Sequence, residues 1–353
     1  MSTDAVARSA ERVVRAVRSV VTEAGPASPP ALAARLLEVL GPALGADGGA
    51  LVLMDPDTGL FTTGAVDRLP APSCHPFFAS ELDDGRPRAF RRLARDGAGA
   101  SALAGADEDF RTAVLEPFGY DDELRVVCRD AGVAWAGMSL WRRRGSAPFT
   151  KEHERALDAV ADLVGAAMRD AVLRSLAGPG PSQAVHGALV IEDGAVVEAG
   201  SEVRALLREI DEPGTQEYRP LDHLLALSRR HSRFSVVLGT RDGRWVTAHG
   251  TALSESRTAV VLTTPSPADL LGALVAGAGL TAREVEVTRL LCRGLSDAEI
   301  ARELTISAHT AHDHVRSVRT KLGVRSRAEV VSRVFADRYL DRFLTTASVV
   351  HED

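Results

Sequence analysis

The sequence predicts a multidomain α+β protein, with two antiparallel-sheet domains followed by an all-α segment of four short helices. Three observations carry this. The chain has 353 residues, enough for two or three domains. Strand-length apolar runs closed by tight turns fall into two groups, one on each side of the Gly- and Pro-rich stretch LAGPGPSQ, Leu176 to Gln183. Beyond Pro267 the pattern is helical, with three helix starts in close succession. The expected division is an amphipathic helix at 1–25, a first sheet domain at 26–176, a linker at 177–184 and a second sheet domain at 185–266. A connecting helix at 267–279, a helical domain at 280–344 and a tail at 345–353 complete it.

Composition excludes several classes. Hydrophobic residues make up 45% and charged residues 25%, which rules out a wholly disordered chain, a collagen-like fibre and a disulfide-built miniprotein. The longest uncharged stretch, Ser175 to Ile191, has 17 residues and is broken by Gly178, Pro179, Gly180 and Pro181, so no membrane span or membrane partner is expected. Asp4, Arg8, Glu11, Arg12, Arg15 and Arg18 interrupt any apolar core of a secretory signal. The scattered Cys74, Cys128 and Cys292 suit a reducing compartment. The expected location is the cytoplasm. Net charge is −6, but Leu280 to Leu344 carries 12 basic against 9 acidic residues. Such an asymmetry suits a small nucleic-acid-contacting module on an acidic body.

The elements follow in order. Val6, Val13, Val17 and Val20 recur at helical spacing within Asp4 to Glu23. A second helix is expected from Ala31 to Leu40, stopped by Gly41-Pro42. GALVLMD, Gly49 to Asp55, is a strand ending in a Pro-Asp-Thr-Gly turn, and Leu60 resumes the next strand. The stretch from Leu69 to Gly105 reads as long and irregular. Glu123 to Asp130 and Gly132 to Arg142 read as two strands about a tight turn, and Phe149 to Leu176 as a long helix. After the linker, Gly187 to Gly200 is a hairpin turning at Asp193-Gly194. Helices near Ser201 to Ile210 and Leu221 to His231 precede a second hairpin, Phe234 to Leu253, turning at Asp242-Gly243. Ala259 to Pro265 adds a last strand. No internal sequence repeat is evident.

The C-terminal segment carries the sharpest signal. Thr281 to Glu284 and Ser296 to Glu299 are capping boxes, and Ser307 caps a third helix, about Ala308 to Leu322. Gly294 and Gly323 sit where helices end. Short helices joined by three- or four-residue turns are the plan of a helix-turn-helix unit. Ala311, Val315, Val318 and Leu322 line one face of the third helix, expected to pack on Val285, Leu290, Ile300, Ala301 and Leu304. His309, His312, Asp313, Arg316 and Thr320 fall on the opposite face, where their donors and acceptors can reach base edges. Thr310, Arg319 and Lys321 flank that face as phosphate contacts, with Ser307 at its start. His314, beside the apolar stripe, reads as structural. A metal on His309, His312 and His314 lacks a completing ligand set.

On Leu280, Thr281, Arg283, Glu284, Glu286 and Val287, then Gly294, Leu295, Ser296, Glu299, Ile300, Ala301, Leu304, Ile306 and Ser307, then Thr310, His314, Val315, Lys321, Leu322, Gly323, Val324 and Arg327, the segment resembles the LuxR-type helix-turn-helix family of bacterial transcription regulators. The resemblance implies a third helix that recognises operator DNA and a fourth that supports dimerisation. Carried over by position, His312, Asp313 and Arg316 face bases, and Thr310 and Lys321 face the backbone. Ala311 and His312 stand where the family often has a Val-Lys pair. Residues Ala31 to about Leu176 resemble a GAF-like sensor domain in layout, and Gly187 to Thr264 a PAS-like domain. Such domains imply a small-molecule effector or a dimer contact, with no cofactor identified.

The expected function is thus a one-component, homodimeric, non-enzymatic transcription regulator. Its expected partners are double-stranded operator DNA, RNA polymerase, a small-molecule effector and a second copy of the chain. Two alternatives stand beside it: a GAF-like thiol enzyme of the sulfoxide-reductase kind using Cys74 and Cys128, and a protein-interaction scaffold with a degenerate helix-turn-helix. Trp135, Trp141, Phe77 and Phe78 fill a core or line a ligand pocket. No phosphate-binding loop, no nucleophile elbow and no phospho-receiver pattern is present in the sequence.

Overall fold

The computed structural model describes residues 3–83, 85–103, 106–177, 186–210, 218–240 and 244–331. Helix α1 (Thr3–Glu23) buries Val13 and Val17 and packs on α2 (Pro29–Ala43). Gly41-Pro42 does not end α2 where expected: the helix runs on to Ala43, and Pro42, one residue from its end, costs it a single i→i−4 bond. β1 (Gly48–Met54) and β2 (Phe61–Asp67) form a hairpin over which α2 packs. β4 (Tyr120–Asp130) and β5 (Val133–Arg143) form another, turning at Ala131 and Gly132, both at positive φ. With the short β3 (Ser101–Ala102) they make a five-stranded antiparallel sheet in the order β2-β1-β5-β4-β3. The long helix α6 (Lys151–Ala177) passes very close to β4. A Cβ at Gly165 would lie 2.2 Å from the Arg129 carbonyl oxygen, so only glycine permits this approach.

The stretch from Leu69 to Gly105, read as irregular, instead holds α3 (Cys74–Glu81) and α4 (Phe90–Asp96) before β3. Pro76 sits in the first turn of α3, where proline is tolerated. What binds this segment to the sheet is a buried ionic cluster. Arg125 and Glu123, two residues apart on β4, share one face and are fully buried. Arg125 Nε and Nη2 donate to the two Glu123 oxygens at 2.9 and 2.5 Å, and Nη1 donates to Glu81 of α3 at 2.9 Å. Glu81 also accepts from the Phe90 N–H at 2.7 Å, fixing the start of α4. Arg88 Nη1 donates to the Ala102 carbonyl at 2.7 Å. Arg86 bridges Glu81 and Asp107, its guanidinium 3.8 Å from the Phe110 ring centroid in α5 (Glu108–Phe110). Burial alone would raise the Glu123 carboxyl, but Arg125 and Arg88 overrule it and hold it down at about 2.

The second sheet contains β6 (His186–Glu192), β7 (Ala195–Ala199), β8 (Arg233–Gly239), β9 (Trp245–Ala252) and β10 (Arg257–Thr263). The first hairpin turns at Asp193 and Gly194 as expected, both at positive φ. The Asp242-Gly243 turn lies outside the described residues, while β8 and β9 pair up to Gly239 and Trp245 on either side. Helices α7 (Ser201–Ile210) and α8 (Pro220–Arg230) sit in sequence between β7 and β8. The strand order is β7-β6-β10-β9-β8. Counted within each sheet, both orders read second, first, fifth, fourth, third, with helices inserted after the second strand. The chain thus repeats a topology with no sequence repeat to announce it.

The two sheets share one hydrophobic interior. Phe61, Phe77 and Phe78 belong to the same buried cluster as Leu224, Leu238 and Val260. Tyr218 and His223 reach across: Phe78 stacks edge-on to Tyr218 at 5.5 Å between ring centroids and lies 5.2 Å from the His223 ring. Burial holds His223 neutral, its pKa pushed down to about 3.

The C-terminal unit is a separate helical body. It comprises α9 (Pro267–Gly277), α10 (Ala282–Cys292), α11 (Asp297–Glu303) and α12 (Ala308–Lys321). Residues 327–331 begin a further helical turn. Val275 of α9 is buried in the same core as Val287, Ile300 and Val315, so the connecting helix is part of this body.

Candidate nucleic-acid interface

Each helix of the C-terminal body starts on a side-chain cap. Thr281 Oγ1 accepts from the Glu284 N–H, and Glu284 Oε2 accepts from the Thr281 N–H at 2.7 Å. Ser296 and Glu299 repeat the arrangement at the start of α11. Ser307 Oγ accepts from the Thr310 N–H at 3.0 Å and lies 2.8 Å from Thr310 Oγ1. Helices of 7 to 14 residues are too short to persist alone, and such caps stabilise each by about 1 kcal/mol. Gly294 and Gly323 take the left-handed conformation at their predicted places. In the α11–α12 turn Thr305 also has φ +53°, a strained position for a β-branched residue.

Packing divides α12 into two faces. Ala311, Val315 and Val318 of the expected stripe are buried in one core with Leu290, Ile300 and Ala301, together with Val287, while the expected Leu322, Val285 and Leu304 pack against it partly buried. On the outward face the side chains of His309, Asp313 and Arg316 are 86%, 43% and 71% exposed. Arg316 Nη2 lies 3.3 Å from Asp313 Oδ1, and His309 Nε2 lies 3.5 Å from Asp313 Oδ2. Exposed pairs of this kind contribute little to stability, so the fold alone gives no strong reason for the cluster.

Three residues expected at the interface are held by the domain itself. Lys321 Nζ donates to Glu284 Oε2 at 2.6 Å, and Ser317 donates to the other Glu284 oxygen at 2.5 Å. Burial would raise the Glu284 carboxyl, but these bonds and the Thr281 cap hold it down at about 2. Arg319 donates to the Arg325 carbonyl across the end of α12. His312 Nδ1 lies 2.9 Å from Asp297 Oδ2 at the start of α11, and Asp297 also pairs with Arg327. Thr310 and Thr320 are exposed, and His314 is half-buried. The clamp roles of Glu284, Asp297 and Arg327 were missed, because each partner lies 15 or more residues away and only the capping role of Glu284 is written locally.

In the sheet region, Phe77, Phe78 and Trp141 line a small apolar cavity of about 20 Å³, together with Cys74, Val52 and Tyr218. That is room for about one water molecule. Trp135 is buried but does not line it. Cys74 and Cys128 are both buried, and burial pushes the Cys128 thiol up to about 12, the reverse of an activated thiolate. Among the described residues, no helix is long and apolar enough to cross a membrane.

A capped helix-turn-helix with a packed inner face and a polar outer face defines the class of the C-terminal body. Residues 278–334 match the family model for bacterial regulatory proteins of the luxR family, and this segment is a LuxR-type helix-turn-helix domain. The oxygen regulatory protein NreC of Staphylococcus aureus strain JH9 is 34% identical over 62 residues, which is 18% of this chain and 29% of that protein. The chain thus spans under a third of the curated relatives it matches. Among solved structures, the GAF domain of a phosphoenolpyruvate-protein phosphotransferase from Coxiella burnetii is 16% identical, covering 47% of this chain and 98% of that one, with a TM-score of 0.35. SdiA in complex with octanoyl-rac-glycerol is 13% identical, covering 94% of this chain and 95% of that one, also with a TM-score of 0.35.

Proposed function

We propose that this protein is a cytoplasmic, homodimeric transcription regulator that binds operator DNA through α12. The observation that carries the reading is the division of that helix: its apolar side builds the domain core, while Asp313, Arg316 and His309 stand out in solvent. In a major groove those three and His312 meet base edges, and Ser307 and Thr310 at the helix start meet phosphates. Arg319 and Lys321 act mainly as clamps of the fold and secondarily as backbone contacts. Two copies would read half-sites one helical turn apart, about 34–36 Å.

The sheet domains are proposed to bias the pairing of the two DNA-binding bodies, with α1 and α6 as dimer contacts. A small-molecule effector acts here only if it binds one arrangement better than the other. It would have to widen the cavity by moving the Phe77, Phe78 or Trp141 ring. The buried Cys128 thiol argues against the thiol-enzyme alternative.

The test is a mobility-shift assay of the full chain with random-sequence duplex, followed by selection of the bound sequences. Retention at low salt with enrichment of a two-fold-related sequence supports the reading. Absence of any shift favours the scaffold alternative and overturns it.

A further inference from the structure

We propose that Asp313 and Arg316 act as one reading unit, and that the operator half-site holds a C·G base pair to match it. The inference rests on the reading of α12 as a base-contacting helix and states what that helix recognises. Residues three apart on a helix rise about 4.5 Å and share a face, so both side chains can converge on the edge of one base pair. The Asp313 carboxylate only accepts, and the Arg316 guanidinium only donates, through a planar fork. Held 3.3 Å apart, they present an acceptor beside a pair of donors. The major-groove edge of a C·G pair presents the cytosine N4 donor beside the guanine O6 and N7 acceptors, which is the complement. An A·T pair offers the adenine N6 donor but no adjacent pair of acceptors for the fork.

The surroundings favour this pair as the specificity element. Of the three cations on α12, Lys321 is drawn onto Glu284 and Arg319 onto the Arg325 carbonyl, while Arg316 pairs with Asp313 on the outward face. A carboxylate entering a groove between phosphates is repelled unless a cation accompanies it, and Arg316 is placed to do so. His309, 3.5 Å from Asp313 on its other side, adds a donor near the same position.

The experiment is sequence selection with the full chain and with Arg316→Ala and Asp313→Asn, followed by affinity measurements on the selected duplex and on the same duplex with one C·G pair changed to A·T. The wild-type chain is expected to enrich a C·G pair at one position of each half-site and to bind the A·T duplex about 10- to 100-fold more weakly. Arg316→Ala should reduce that ratio to within a few-fold of one. Asp313→Asn should move the preference at that position toward adenine, because an amide matches the adenine N6 and N7 pattern. Circular dichroism of both exposed-site variants should match wild type. Selected sites without such a C·G pair, or an Arg316→Ala variant that loses affinity for both duplexes equally, would overturn the inference while leaving DNA binding intact. A chain that retains no duplex at all overturns the regulator reading and this inference with it.

Discussion

Lys321 shows how one residue's role is decided by what it touches. Its place near the end of α12 suggested a phosphate contact, yet its ammonium lies on Glu284. Replacing Lys321 with Ala is therefore expected to lower the melting temperature of the C-terminal body while changing the salt dependence of DNA binding little, since each phosphate lost should alter the slope by about 0.9. Melting curves and binding titrations over a salt range check both parts. Glu284 supplies a pH signature. Its carboxyl is held at about 2 in the fold against an ordinary value of 4.5, so its contribution is fully present above about pH 4.5 and is lost as pH falls toward 2. Glu284→Gln should flatten that part of the acid profile followed by circular dichroism. Thr305 is strained at φ +53°, and Thr305→Asn should stabilise the domain by up to about 1 kcal/mol in denaturant titrations.

At the scale of elements, the legible parts were those with local chemistry. Capping boxes located α10 and α11, Ser307 located α12, and the Asp193-Gly194 turn located the β6–β7 hairpin. The helices α3 and α4 were not legible, because Pro76, Gly85 and Pro87 punctuate their stretch and what holds them is non-local. Glu81, Arg86, Arg88, Glu123 and Arg125 close a buried cluster, and Arg125 meets Glu81 from 44 positions away, which no local pattern announces. A Glu-x-Arg step on an otherwise apolar strand was the available clue, since it puts opposite charges on one face. Arg125→Met should destabilise the first sheet by about 3–5 kcal/mol, because Glu81 and Glu123 would lose their main partner in a buried site. Gly165→Ala should cost about 1–3 kcal/mol by pushing α6 away from Arg129. Urea denaturation measures both.

For the whole molecule, the sequence marked two sheet groups separated by a Gly- and Pro-rich stretch, but neither their common strand order nor their common interior. Strand order depends on pairings far apart in the chain, and the aromatic contacts of Tyr218 and His223 with Phe78 leave no periodic trace. Because that interior is shared, calorimetry should show the two sheets melting in one transition, with the helical body free to melt separately. Two well-separated sheet transitions would contradict the merged core.

That seam also dictates where the polypeptide can be cut for laboratory use. Ending a fragment at Leu176, the visually obvious break, would bare the rings of Phe61 and Phe78 and invite clumping. Fragments ending after Thr264 keep those rings covered, and they are the ones to express.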